Sequence, residues 1–136
     1  MLGQLGFGGS DMAKREAPTS PVEKSTSAGS AMSEVLDVDS GENFSCAIVE
    51  NASLQRQAFC WGVNDNQQIA QSGDTASFNR AVRIADLTDV SQIATGGSHA
   101  CIVQLAKTSV FCWGANDSGQ LGDGTTNSSE IPKPIF

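Results

Sequence analysis

Short apolar runs alternate along this chain with dense clusters of turn-forming residues. Runs rich in β-branched and aromatic residues between Gly, Asn, Asp and Ser clusters read as strands. They fall at Val35 to Asp39, Ser45 to Glu50, Gln57 to Gly62 and Ala81 to Ile84, then at Ser91 to Ala94, Ala100 to Gln104, Ser109 to Gly114 and Lys133 to Phe136. No segment keeps a helical period over several turns, so an all-β chain is expected. Pairing Ala100–Gln104 with Ser109–Gly114 as an antiparallel hairpin sets Cys101 against Cys112, Ile102 against Phe111 and Val103 against Val110. Both faces of that hairpin then carry apolar side chains. A sheet buried on both faces needs neighbours on both, which predicts a stacked or radial repeat rather than a two-layer sandwich.

The repeat is visible directly. Cys101-Ile102-Val103 follows Cys46-Ala47-Ile48 by 55 residues, and Cys112-Trp113-Gly114 follows Cys60-Trp61-Gly62 by 52. Ala115 to Gly122 then matches Val63 to Ala70 with Asn, Asp and Gln in register, and Gly41 falls opposite Gly96. Gly3 to Gly8 copies Gly119 to Gly124 without a preceding strand, so the chain is expected to start inside a repeat. Ser10 to Ser33 is composed of Ser, Thr, Ala, Pro and Gly with mixed charge, the composition of a flexible surface insertion.

Composition narrows the function. Eight Lys and Arg against fifteen Asp and Glu give a formal charge of -7 and a pI near 4.4, so no basic patch exists to displace counterions from a phosphate backbone. Nucleic-acid binding is not expected. An acidic surface suits a basic protein partner or simply keeps the chain soluble. No run of eighteen apolar residues occurs, so no membrane-inserted helix is expected, and MLGQLGFGGSDM lacks the basic start and apolar centre of a signal peptide. An aromatic content of 6% leaves each unit a thin core.

Candidate chemistry is sparse. His99 is the only histidine, so no histidine-based metal cluster can form within the chain, and no nucleophile motif accompanies it. Asp37 to Glu42 resembles the start of a calcium loop, but Ile48 stands where the bidentate glutamate belongs. GQLGFG and GQLGDG lack the Lys-Ser/Thr ending of a phosphate loop and are read as turns. Asp65 and Asp117 recur at one repeat position, which points to loop support rather than a catalytic pair. No catalytic, metal or cofactor site is expected. Four Asn-x-Ser sequons, at Asn43, Asn51, Asn116 and Asn127, either permit glycosylation or reflect the turn preference of Asn and Ser.

Gly96 and His99 before one strand, Trp113-Gly114 ending the next, then Asn116, Gly119-Gln120-Leu121-Gly122, Gly124 and Pro132 form a spaced set. On these residues the chain resembles the regulator of chromosome condensation repeat family, whose members build seven-bladed β-propellers from units of this length. The resemblance implies an all-β fold forming a partial β-propeller, with blades of short antiparallel strands. It divides the chain into residues 1–34, the tail of a truncated repeat plus the insertion, and two complete repeats at 35–86 and 87–136. In the earlier repeat Trp61 matches Trp113, whereas Phe44 replaces the histidine, Gln67 and Ala70 replace two loop glycines, and Ala81 stands where Pro132 does. These departures put the loop geometry of that blade in question. A closed ring at this period needs roughly 350 residues, so the chain is expected to be a fragment, or to need further blades or copies over its exposed faces.

Cys46, Cys60, Cys101 and Cys112 allow three disulfide connectivities. The hairpin pairs Cys46–Cys60 and Cys101–Cys112 are favoured because they repeat with the fold, and four reduced, buried thiols are the alternative. Zinc is disfavoured by the missing close Cys pairs. Disulfides would place the chain in an oxidising compartment, extracellular or periplasmic. The expected function is a non-catalytic module that binds another protein through inter-strand loops. Alternatives implied by the resemblance are an exchange-factor-like regulator of a small GTPase, an inhibitor of β-lactamases like some secreted relatives, and a targeting or structural region of a larger secreted or surface protein.

Overall fold

A computed structural model describes residues 34–69, 77–105 and 108–136. The proposed insertion at Ser10 to Ser33, the copied motif at Gly3 to Gly8 and the replacement at Ala70 lie outside these residues. The described residues form eight strands: β1 (Val35–Ser40), β2 (Phe44–Glu50), β3 (Arg56–Gly62), β4 (Phe78–Arg83), β5 (Val90–Thr95), β6 (His99–Gln104), β7 (Ser109–Gly114) and β8 (Ser129–Pro134). They make two four-stranded antiparallel sheets in chain order, β1-β2-β3-β4 and β5-β6-β7-β8.

The central hairpins have the register that the apolar pattern predicts: Cys101 opposes Cys112, Ile102 opposes Phe111 and Val103 opposes Val110. Cys46 opposes Cys60 in the same way. The outer strands differ from expectation. β4 begins at Phe78 rather than Ala81, and β8 spans Ser129–Pro134 rather than Lys133 to Phe136. Both are sheet edges whose extent is set by pairing with β3 and β7 across a register shift, where Gly62 opposes Phe78 and Gly114 opposes Ser129. Local apolar pattern carries little of that information. Two prolines, Pro132 and Pro134, are tolerated in β8 because an edge strand needs only one row of ladder bonds.

The main core lies between the sheets. Phe44, Cys46, Ile48, Ala58 and Cys60 from the first sheet meet Val90, Ile93, Ala100, Ile102 and Trp113 from the second, with Ile69, Ile84 and Leu87 from the connections. The opposite face of the first sheet carries Ala47, Val49, Phe59, Trp61 and Ala81, also buried. Side chains alternate across a strand, yet β2 is buried from Phe44 to Val49, with Phe44, Cys46 and Ile48 in the core between the sheets and Ala47 and Val49 in the cluster on the opposite face. In β6 the burial alternates instead: Ala100, Ile102 and Gln104 face the first sheet, while His99, Cys101 and Val103 are half-buried on the outer face.

Three polar ties lock the sheets together. The Trp113 indole Nε1 donates to the Gln68 carbonyl at 2.8 Å. Glu42 N donates to Gly97 O at 3.1 Å between equivalent turns. Thr95 N donates to Asp39 Oδ2 at 2.7 Å. Burial opposes ionisation of Asp39, but amide bonds from Thr95 and Ser40 outweigh it and hold its carboxyl below its ordinary range. The acids of the calcium-like segment Asp37 to Glu42 therefore belong to β1 and its following turn, and one of them is a joint between sheets.

Candidate binding surface

The loops after β3 and β7 emerge at the same end of the two sheets. Each is built around an asparagine. Asn116 is fully buried; its Oδ1 accepts from Leu121 N at 2.9 Å, and its Nδ2 donates to Thr125 O and Asn127 O at 3.0 Å each and to Asp123 Oδ1 at 3.2 Å. One side chain thus satisfies backbone groups from three points of the loop and fixes its path. Asn64 repeats the first bond, accepting from Ile69 N at 2.8 Å. Leu121 and Ile69 follow these bonds into the core, 1% and 0% exposed, as an anchor under each loop.

The repeat residues take separable roles. Trp113 is fully buried and spans the blade interface, and Trp61 is buried on the other face of the first sheet. Gly114 ends β7 opposite His99. His99 lays its ring against Gly96, where any Cβ would collide with the imidazole, and Gly96 N donates to His99 O at 2.8 Å. Burial pushes the His99 imidazole below its ordinary pKa. Phe44 occupies the equivalent place over Gly41 and is 1% exposed, because the second sheet covers it. A phenyl ring suits that closed position, and a histidine suits the half-open one.

Gly119 turns the second loop with φ 73°, donating its N–H to Asn116 O at 2.8 Å. Gln67 stands at that place in the first loop with φ 63° and donates to Asn64 O at 3.1 Å. The loop geometry survives the glycine replacement at this position, since neighbouring bonds hold a side-chain residue in the left-handed region. Gly122 N donates to Gly119 O at 3.0 Å, continuing the turn. Gln120 is exposed and accepts from Ser118 N, whereas its counterpart Gln68 is 1% exposed beneath the second sheet.

Asp65 and Asp117 are exposed on these loops. The Asp65 Oδ1 accepts from Asn66 Nδ2 at 3.2 Å and Gln68 Nε2 at 3.3 Å, so it braces its loop. Asp123 pairs with Lys133 at 3.0 Å and accepts from Thr125; the Lys133 ammonium, then the Thr125 hydroxyl and amide, hold its carboxyl well below the usual carboxylate range. The sequons are unequal. Asn116 is buried with its Nδ2 engaged, which closes it to glycosylation in the folded chain, while Asn43 and Asn127 are exposed. The Asn51 Nδ2 donates to Gln55 Oε1 at 3.1 Å.

The two cysteine pairs lie at disulfide distance, with Sγ–Sγ separations of 2.12 and 2.13 Å. Cys46, Cys60 and Cys112 are buried, and Cys101 is half-buried on the outer face. Among the described residues no group of three or more His, Cys, Asp or Glu side chains could hold a metal ion, and no helix is long and apolar enough to cross a membrane.

Two meander sheets packed face to face about one core, with matching loops at one end, are neighbouring blades of a β-propeller. The chain belongs to the regulator of chromosome condensation repeat family. The family's RCC1 repeat pattern matches residues 108–136. Human E3 ubiquitin-protein ligase HERC2 is 35% identical over 134 residues, which is 98% of this chain and 2% of that protein. The human probable E3 ubiquitin-protein ligase HERC6 is 31% identical over 104 residues, 74% of this chain and 10% of that protein. In solved structures the fold is similar to human WBSCR16 (TM-score 0.63, 20% identity) and to Prp20p of Saccharomyces cerevisiae (TM-score 0.64, 15% identity). Each alignment covers 75% of this chain and 25% of the solved one. The chain thus spans a small part of the proteins it matches.

Proposed function

We propose that this chain is the protein-binding part of a propeller, engaging a partner through the loops that follow β3 and β7 rather than carrying a catalytic centre itself. The observation that carries the reading is the Asn116 network together with the Trp113–Gln68 bond. The network fixes the path of residues 116–127 and the indole bond ties Gln68 to the second blade, which lowers the ordering cost of binding at the exposed polar positions beside them. Relatives support it by kind: Prp20p is described by its binding to Gsp1p and histones, and by a complex with Kap60. Exchange-factor-like regulation of a small GTPase is a narrower form of the same proposal. The likeness to HERC ligases supports a second reading, in which the segment recruits targets for an enzyme whose catalytic domain lies elsewhere.

The paired cysteines support an oxidising compartment, extracellular or periplasmic. The loop proposal is tested by affinity capture with the full-length protein and with an Asp65→Lys/Asp117→Lys variant. A specific partner held by the parent and lost by the variant supports it. Equal recovery by both, or turnover of a substrate by the purified protein with no partner recovered, overturns it.

A further inference from the structure

At the end of the blades opposite those loops, the turn between β2 and β3, the residue before β5 and the end of β6 flank a groove of about 610 Å³ lined by Glu50, Leu54, Arg56, Asp89 and Leu105. We propose that this groove docks a short segment of a partner protein that combines one large apolar side chain with a lysine or arginine. The site is separate from the loop surface and stands or falls independently of it.

Leu54 and Leu105 are 73% and 58% exposed, one on each blade. A single exposed leucine needs no explanation, but Leu54 is held in place against its own backbone preference. It sits at φ 59°, a region that Asn or Gly would occupy more readily. The turn that holds it is tightly bonded. The Asn51 carboxamide oxygen accepts from Ser53 N and Gln55 N, both at 2.9 Å, and Leu54 N donates to Asn51 O at 2.9 Å. The other wall is fixed by Leu105 N donating to Asp89 O at 3.1 Å. Leu54 is thus presented from a bonded turn and Leu105 from the end of β6, across a gap with room for a further apolar side chain and within the volume range of small binding pockets.

The rim chooses the charge of the occupant. Among the described residues of the rim, Glu50 and Asp89 contribute two carboxylates against one guanidinium, and Arg56 already bonds Glu50 at 3.1 Å. Asp89 is exposed beside Leu105, in reach of an incoming cation. The chain's formal charge of -7 draws basic segments toward the rim and repels acidic ones.

The test pans a phage-displayed library of short peptides on the immobilised full chain, with a Leu54→Ser/Leu105→Ser variant as counter-selection, and measures synthetic versions of the enriched peptides by fluorescence anisotropy. Enriched sequences pairing Leu, Ile, Phe or Trp with Lys or Arg are expected, weakened by about tenfold or more in the double variant, as for loss of a buried apolar anchor. Asp89→Asn, which suits the φ of 54° at that position, is expected to weaken them severalfold at low salt and less at high salt. Thermal melts matching the parent establish that both variants fold. No enrichment, acidic sequences, or affinity unchanged in the double variant overturns the proposal. So does parent self-association in sedimentation that the double variant abolishes, since the groove would then join two copies.

Discussion

Replacing Asn116 tests whether one side chain sets the loop on which the proposed function rests. Asn116→Ala removes the bonds to Leu121 N, Thr125 O and Asn127 O, each 3.0 Å or shorter. At roughly 1 kcal/mol net per backbone partner left unsatisfied, the loss is about 3 kcal/mol. With a urea m-value of about 1–2 kcal/mol/M, the unfolding midpoint falls by about 2 M. Asn116→Asp separates the donor from the acceptor. Its carboxylate still accepts from Leu121 N, but it turns oxygen toward Thr125 O, Asn127 O and the Asp123 carboxylate. Burial and like charge raise the folded-state pKa of that new acid above its unfolded value near 4. A raised pKa contributes stability below the unfolded value and loses it as pH rises. Asn116→Asp is therefore expected to be at least as damaging as alanine at pH 7.5 and to approach the parent at acid pH, whereas the alanine deficit stays flat. Urea titrations followed by tryptophan fluorescence at both pH values measure this, each variant referred to the parent at the same pH. An alanine loss under about 1 kcal/mol, or an aspartate deficit that does not shrink on acidification, would refute the role assigned to this side chain.

Three further outcomes are expected. Trp113→Phe removes the indole donor and leaves the Gln68 carbonyl unpaired, so with the lost ring volume it costs about 2–4 kcal/mol in urea unfolding; a change under 1 kcal/mol would show that the blades are not joined there. Intact-mass measurement after alkylation without reductant is expected to show no modified cysteine, and four alkylated thiols would contradict both disulfides. Because Asp123 titrates well below its ordinary range, its tie to Lys133 persists as pH falls through about 4, and its contribution to stability is lost only at more acid pH. A Lys133→Met variant is expected to be less stable than the parent at neutral pH and to converge with it in acid, read by thermal melts.

Much of the scaffold was legible because a repeat states the same structural demand twice. Trp113, Asn116 and Leu121 stood out by matching Trp61, Asn64 and Ile69, and the hairpin register followed from apolar alternation. What that comparison could not supply was the partner across the interface. Trp113 bonds a carbonyl 45 residues earlier, and a backbone carbonyl has no sequence signature. The replacement of histidine by Phe44 has its reason in the second sheet, which covers the ring, and no neighbouring residue in sequence signals that cover. Asn116 counted as a sequon by spelling, although its amide is consumed inside the loop.

Local sequence determined the strands of the central hairpins, the turn positions and the register that sets Cys101 against Cys112, because these depend on alternation and on residues a few positions apart. Tertiary structure decided the edge strands, the closed or open setting of Phe44 and His99, and the groove between Leu54 and Leu105. Each of these depends on which surfaces of separate blades meet, and that is settled by packing between sheets, not by the order of residues within either one.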